Sequence, residues 1–244
     1  MLAQVDLHVA FLPEEAGALR GRIALVIDVI RATTSVLTML ERDCAEVLIA
    51  PTIEAARRYR EAHADVVLAG ERDGRAPAGF EFGNSPVAFA GAALASRRVV
   101  FATTNGTRAM HLAQDAAAVF LGCLRNRSAA ARAALAAAAE AGTGISVVCA
   151  GREGRFSLDD AYTAGAIVEA LAGHSGPEID LTDAGVAARE LYRSASDPAA
   201  LFRRTRAGRH VIEIGLAHDL EYCAGVDQSM LVPKMGDRVR VLAP

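Results

Sequence analysis

Ile23-Ala-Leu-Val-Ile-Asp28-Val-Ile-Arg31-Ala-Thr33-Thr34-Ser35 is an apolar run that ends on a carboxylate and passes at once into hydroxyl-rich sequence. Two further stretches repeat that arrangement. Val99 to Ala102 leads into Thr103-Thr104-Asn105-Gly106-Thr107-Arg108, and Ile145 to Ala150 leads into Gly151-Arg-Glu153-Gly-Arg155-Phe-Ser157-Leu-Asp159-Asp160. Each run is β-type and each is followed by a helical pattern. A strand feeding a loop that opens a helix aims free N–H groups and a positive dipole end at one point. Hydroxyls and arginines there make a phosphate site. Carboxylates there make a Mg²⁺ site, since Mg²⁺ prefers oxygen ligands and keeps waters.

Working outward, strand patterns at 23–29, 45–50, 66–70, 98–103, 117–122 and 145–150 alternate with helical patterns at 34–42, 53–63, 86–95, 106–114, 128–141 and 158–172. This spacing predicts an α/β protein of three layers, α/β/α, around a mainly parallel or mixed sheet. Ligands in such sheets bind beyond the carboxyl ends of the strands, where all three opening segments fall. After Gly173-His-Ser-Gly-Pro177 the texture changes, with helices expected at 182–194, 197–206 and 208–216. The expected division is an α/β core over 1–176, then a helical cap and C-terminal edge segment over 177–244 on the same core. Gly173 to Pro177 reads equally as a hinge or an ordinary loop. Met230-Leu-Val-Pro and Val239-Arg-Val-Leu could add edge strands.

With 244 residues, 52% of them hydrophobic, the chain can bury one sizeable core, alone or with a small subdomain. A net charge of −3 and a pI near 6.1 argue against a nucleic-acid protein that works through a bulk basic surface. Lys234 is the only lysine, so the positions of the arginines carry information and their number does not. Cys44, Cys123, Cys149 and Cys223 form no CxxC and read as reduced core residues. No window approaches a membrane span, and the first residues lack a signal-peptide pattern. A soluble cytoplasmic protein is expected, with a homodimer as the default assembly.

Asp28 closes a buried strand, where a lone charge is costly. Arg31 is one possible partner, giving a structural ion pair. A helix N-cap accounts for one hydroxyl among Thr33, Thr34 and Ser35, not three, so the segment is read as functional. It is no haloacid-dehalogenase signature, because Ile30 stands two residues after Asp28. Gly70-Glu71-Arg72 places a second carboxylate at a strand end. A long Gly/Pro-rich loop follows it, anchored by Phe80 and Phe82, through Asn84 to Ser85-Pro86, which reads as an N-cap with Pro at N1. Asn105-Gly106 permits close backbone approach to an anion. No Walker loop is present. Ser157 and Asp160 resemble a capping box, leaving Glu153, Arg155 and Asp159 free for a site. Asn126, beyond the strand ending near Gly122, is a further polar candidate. The six histidines show no metal-ligand spacing, and no Gly-x-Ser-x-Gly elbow occurs.

Asp28-Val-Ile-Arg-Ala-Thr-Thr, Gly70-Glu-Arg, Gly79-Phe-Glu-Phe-Gly-Asn-Ser-Pro, Thr103-Thr-Asn-Gly-Thr-Arg and Ala150-Gly-Arg-Glu-Gly-Arg-Phe-Ser-Leu-Asp-Asp occur here in a fixed order. With the late stretch from Asp219 to Pro233, they resemble the 2-phosphosulfolactate phosphatase (ComB-like) family. Arg152 stands where many members carry Thr. The resemblance implies an α/β/α fold and Mg²⁺-dependent hydrolysis of the phosphate ester of a 2-hydroxy acid. That step belongs to coenzyme M biosynthesis in methanogens. On this reading Mg²⁺ rests on a subset of Asp28, Glu71, Glu153 and Asp159, with Arg31 beside them. Thr33, Thr34, Arg72, Asn84, Thr104, Asn105, Gly106, Thr107, Arg108, Asn126 and Arg155 face a small anionic phosphorylated substrate. Attack by water and an aspartyl phosphate on Asp28 both stay open. So do another phospho-hydroxy acid as substrate and a non-catalytic binder of an anionic metabolite.

Overall fold

A computed structural model describes residues 4–174 and 178–242. Nine strands run through it: β1 (Gln4–Ala10), β2 (Ile23–Ile27), β3 (Glu46–Ile49), β4 (Val67–Gly70), β5 (Arg98–Ala102), β6 (Ala118–Gly122), β7 (Ile145–Cys149), β8 (Glu178–Leu181) and β9 (Val239–Val241). Between them lie α1 (Ala32–Glu41), α2 (Ile53–Ala62), α3 (Pro86–Ala90), α4 (Gly106–Ala113), α5 (Arg127–Ala141) and α6 (Leu158–Ala172). The later helices are α7 (Asp183–Arg193), α8 (Pro198–Arg204), α9 (Arg206–Glu213) and α10 (His218–Ala224).

The strands form two sheets instead of one, ordered β6-β2-β7-β1-β8 and β4-β5-β3-β9. Every pairing within them is parallel. Strand alternation sorts the core into three parts. Ile23, Leu25 and Ile27 of β2 face α5 and α6, packing with Leu135, Ala164 and Ile167. Ala24 and Val26 point the other way, into a middle layer with Val36 and Met39 of α1, Met110 of α4, and Val47 and Phe101 of the second sheet. Leu48, Val100 and Ala102 face outward against Ile53 and Ala56 of α2. Each sheet therefore has helices on both faces, the α/β/α layering expected, and the two sheets share the helical layer between them.

The strand and helix patterns between 23 and 172 are recovered within about two residues at most ends. The 86–95 helix is the exception and stops at Ala90. β1 is an addition to the expected elements. It forms because Val5, Leu7 and Val9 alternate inward, packing beside β7. The 208–216 helix runs over 206–213 instead, and α10 was not expected. Residues after 177 supply an edge strand to each sheet, β8 beside β1 and β9 beside β3. Met230-Leu-Val-Pro forms no strand, although the Pro233 carbonyl accepts from the Leu121 N–H of β6. α7 lies against α6 closely enough that a Cβ on Gly165 would meet the Ala188 carbonyl at 1.9 Å. Ser175, Gly176 and Pro177, on which the expected boundary and most of the candidate hinge fall, lie outside the described residues.

Candidate active site

Because all pairings are parallel, the loops after β2 and β7 sit side by side on one sheet, and those after β4 and β5 on the other. The four loops converge on a cavity of about 230 Å³. Asp28, Arg31, Glu71, Asn84, Thr104, Asn105 and Glu153, all read from the sequence, line it. Arg152, Asp73 and His210 join them.

Asp28 is buried. Its Oδ1 accepts from the Ala32 N–H at 3.2 Å, at the start of α1. Its Oδ2 faces Gly106, the first residue of α4, where a Cβ would stand 2.6 Å away. Only glycine lets the two loops approach this closely. Burial pushes the Asp28 carboxyl up to about 7; the Ala32 hydrogen bond opposes this, and the charges of Asp159 and Glu71 add to it.

Arg31 does not pair with Asp28. Its Nη1 donates to Asp219 Oδ2 at 2.8 Å, with both side chains almost fully enclosed, and its Nη2 donates to the Gly74 carbonyl. Asp219 is held in turn by the Ser85 hydroxyl at 2.6 Å. Ser85 also caps α3, as expected, through the Ala88 N–H. Each Glu71 oxygen accepts one backbone N–H, from Gly74 and from Thr104, at 2.8 Å each, which leaves a lone pair on each oxygen. Glu71 fastens the β4 loop to the β5 loop. Asn105 Oδ1 accepts from the Glu153 N–H at 2.9 Å, which fastens the β5 loop to the β7 loop of the other sheet.

The rest of the expected set lies elsewhere. Thr33 and Thr34 donate to the carbonyls of Asp28 and Val29, and Ser35 to that of Asn84, so all three hydroxyls brace the backbone. Thr107 donates to the Thr103 carbonyl. Asn126 clamps Cys123, Leu121 and Leu231 from a buried position. Arg72 pairs with Glu54 and Arg108 with Glu14, both on the surface. Asp159 and Arg155 line a neighbouring cavity. No capping box forms at Ser157. Its hydroxyl donates to Asp159, while Asp160 accepts from Val29 N–H and Gly151 N–H and ties the β2 and β7 loops together. Burial pushes Asp160 well above the usual carboxylate range, helped by the charges of Asp159 and Asp28.

Asp73 and His210 escaped the sequence reading. Asp73 falls inside a loop that already read as a binding loop. His210 comes from α9, and its contact with the Asp73 carbonyl, 137 residues back, leaves no local trace.

Whether this site suits Mg²⁺ depends on its donors. Asp28 and Glu71 share the cavity with Asn84, whose side-chain oxygen is buried without a hydrogen-bond partner among the described residues. Among those residues no three His, Cys, Asp or Glu side chains form a ready metal cage. The donors fit a hard cation held by one or two carboxylates with waters and phosphate oxygens completing its shell, which is how Mg²⁺ is commonly bound. They do not form a closed cage of Asp28, Glu71, Glu153 and Asp159.

Residues 10–238 match the family model described as 2-phosphosulpholactate phosphatase. The chain belongs to this family. A Deinococcus radiodurans relative named "Probable 2-phosphosulfolactate phosphatase" is 46% identical over 220 residues, 89% of this chain and 90% of the relative. A Thermus thermophilus relative of the same name is 40% identical, covering 89% of each chain. One from Clostridium acetobutylicum is 30% identical over 95% of this chain and 97% of its own length. No helix among the described residues is long and apolar enough to cross a membrane.

Proposed function

We propose that this chain is a Mg²⁺-dependent phosphomonoesterase that hydrolyses 2-phosphosulfolactate to sulfolactate and phosphate. The observation that carries the proposal is the Asp28 carboxylate, buried in an acidic cavity without an ion pair among the described residues and set against the first turn of α4. Carboxylates repel a phosphate ester unless a cation intervenes, so Asp28, Glu71, Glu153 and Asp73 around one cavity call for one. Asp28, Glu71 and Asn84 would hold the Mg²⁺, which when bound polarises phosphoryl oxygens and offsets their charge.

The chain's own residues supply the rest. The backbone N–H groups of Asn105 and Gly106, at the positive end of α4, hold phosphate oxygens. Arg31, its charge offset by Asp219, is fixed by Asp219 and the Gly74 carbonyl, so its remaining N–H donors need no reorganisation as the reaction proceeds. Asp28 can accept a proton from attacking water through a free oxygen or carry the phosphoryl group itself. Four free, buried cysteines suit a reducing cytoplasm.

Phosphate release from 2-phosphosulfolactate and other phospho-hydroxy acids, with Mg²⁺ or with EDTA, tests the proposal. Release that stops in EDTA and is fastest with 2-phosphosulfolactate is expected. A different top substrate would replace that ester, and no release from any would leave a binding protein. Trapping phosphate on Asp28 would select the phosphoenzyme route.

A further inference from the structure

A second cavity, about 210 Å³, opens beside the first, between the start of α6 and the turn from α8 to α9. Arg152, Arg155, Arg204 and Arg206 line it with Phe156 and Asp159. Arg152 lines both cavities, and a third opening, lined by Arg152, Arg206, Arg209, His210 and Glu213, shares residues with each.

Charge divides the pair. In the first cavity, four carboxylates face Arg31, Arg152 and His210, and Arg31 is already neutralised by Asp219. In the second, four arginines and a single carboxylate, Asp159, line the wall, and burial disfavours the charged form of Asp159. Arg155, Arg204 and Arg206 make no ion pair among the described residues, whereas Arg152 Nε lies 3.6 Å from the Glu153 carboxylate without a hydrogen bond among them. Guanidinium groups keep their charge at any physiological pH, so four around one small cavity repel one another unless an anion lies between them. Their planar forks match a multi-oxygen anion such as a sulfonate. Phe156, half exposed and packed edge-on against Phe11, gives the cavity an apolar wall.

We propose that this arginine cavity is the subsite for the non-reacting sulfonate of the substrate, while the phosphate ester occupies the acidic cavity. Arg204 and Arg206 then set specificity, and Arg152 spans the two subsites. The inference rests on the phosphomonoesterase reading above, and its test separates the two.

The test compares kcat/KM for 2-phosphosulfolactate and for 2-phospholactate, which lacks the sulfonate, in wild type, Arg204→Ala, Arg206→Ala and Arg206→Lys. Both side chains are exposed, so the fold should survive. Preference for the sulfonate ester should fall about tenfold or more in each Ala variant, the scale of one lost hydrogen bond to a charged group, and Arg206→Lys should recover part of it. Equal loss on both esters would overturn the proposal. Calorimetric titration with sulfolactate and with lactate reads the subsite without turnover. Sulfolactate binding should weaken about tenfold in the Ala variants with lactate unaffected, and unchanged sulfolactate affinity would overturn the subsite. If wild type releases no phosphate yet shows this binding pattern, the phosphatase reading fails and the subsite stands.

Discussion

The two cavities share Arg152 and one edge of the fold, yet different kinds of structure build them. The acidic cavity is mostly strand-end loops: those after β2, β4, β5 and β7, cross-tied by Asp160, Glu71 and Asn105. The arginine cavity draws on the β7 loop and the turn between two late helices. In the first, Arg31, Glu71 and Asn105 are committed to backbone or to one another, while Asp28 Oδ2 and the Asn84 side-chain oxygen make no hydrogen bond among the described residues. In the second, Arg155, Arg204 and Arg206 carry charge without an ion pair among the described residues. A site that binds a cation and a reacting phosphate needs fixed geometry. A site that selects a strong acid group needs uncompensated charge.

Asp28→Asn should sharpen that contrast most. Activity is expected to fall about 1,000-fold or more, because the variant removes the charge on which the acidic cavity is centred. Stability should move the other way. The folded carboxyl, about 7, lies above its ordinary value of 3.8, so its ionisation destabilises the folded state as pH rises between those values. In EDTA above pH 7, Asn should therefore stabilise the protein by up to about 4 kcal/mol, and below pH 4 the difference should vanish. Melting temperature against pH for the two proteins checks this, and parallel curves would contradict it.

Asp219→Ala should cost about 3–5 kcal/mol, read by urea unfolding, because Arg31 would be left enclosed and unpaired. Arg206→Ala, in the open cavity, should change the same measurement by under about 0.5 kcal/mol. Comparable losses would erase the distinction between fixed and free charge. Gly106→Ala should follow at about 1–3 kcal/mol with a fall in kcat, since the new methyl would lie 2.5 Å from Ala32 Cβ and 2.6 Å from Asp28 Oδ2. Arg108→Ala should be nearly silent, within about twofold in kcat and 0.5 kcal/mol, because Arg108 pairs with Glu14 in solvent. A large loss there would return Arg108 to the phosphate site.

The same comparison explains what could be read from sequence. Asp28, Glu71, Asn105 and Glu153 were legible because each ends or follows an apolar run, and a parallel sheet brings such ends together. The run of hydroxyls at Thr33, Thr34 and Ser35 misled. Residue types that bind phosphate also brace a helix start, and only the carbonyls they reach decide between the roles. Arg31 was found, but Asp219, 188 residues away, could not be identified as its partner from local pattern. The split into two sheets was equally hidden, since alternating strand and helix patterns do not state which strands pair. His210, Arg204 and Arg206 lie on helices whose arginines look like any solvated face until α9 is placed over the β7 loop.

A crystal structure with Mn²⁺ in place of Mg²⁺ and with sulfolactate bound would test the division of labour most directly. The account predicts anomalous Mn²⁺ density beside Asp28 and Glu71, and the sulfonate between Arg152 and Arg206. A sulfonate on the metal with the arginine cavity vacant, or Mn²⁺ away from Asp28, would contradict it.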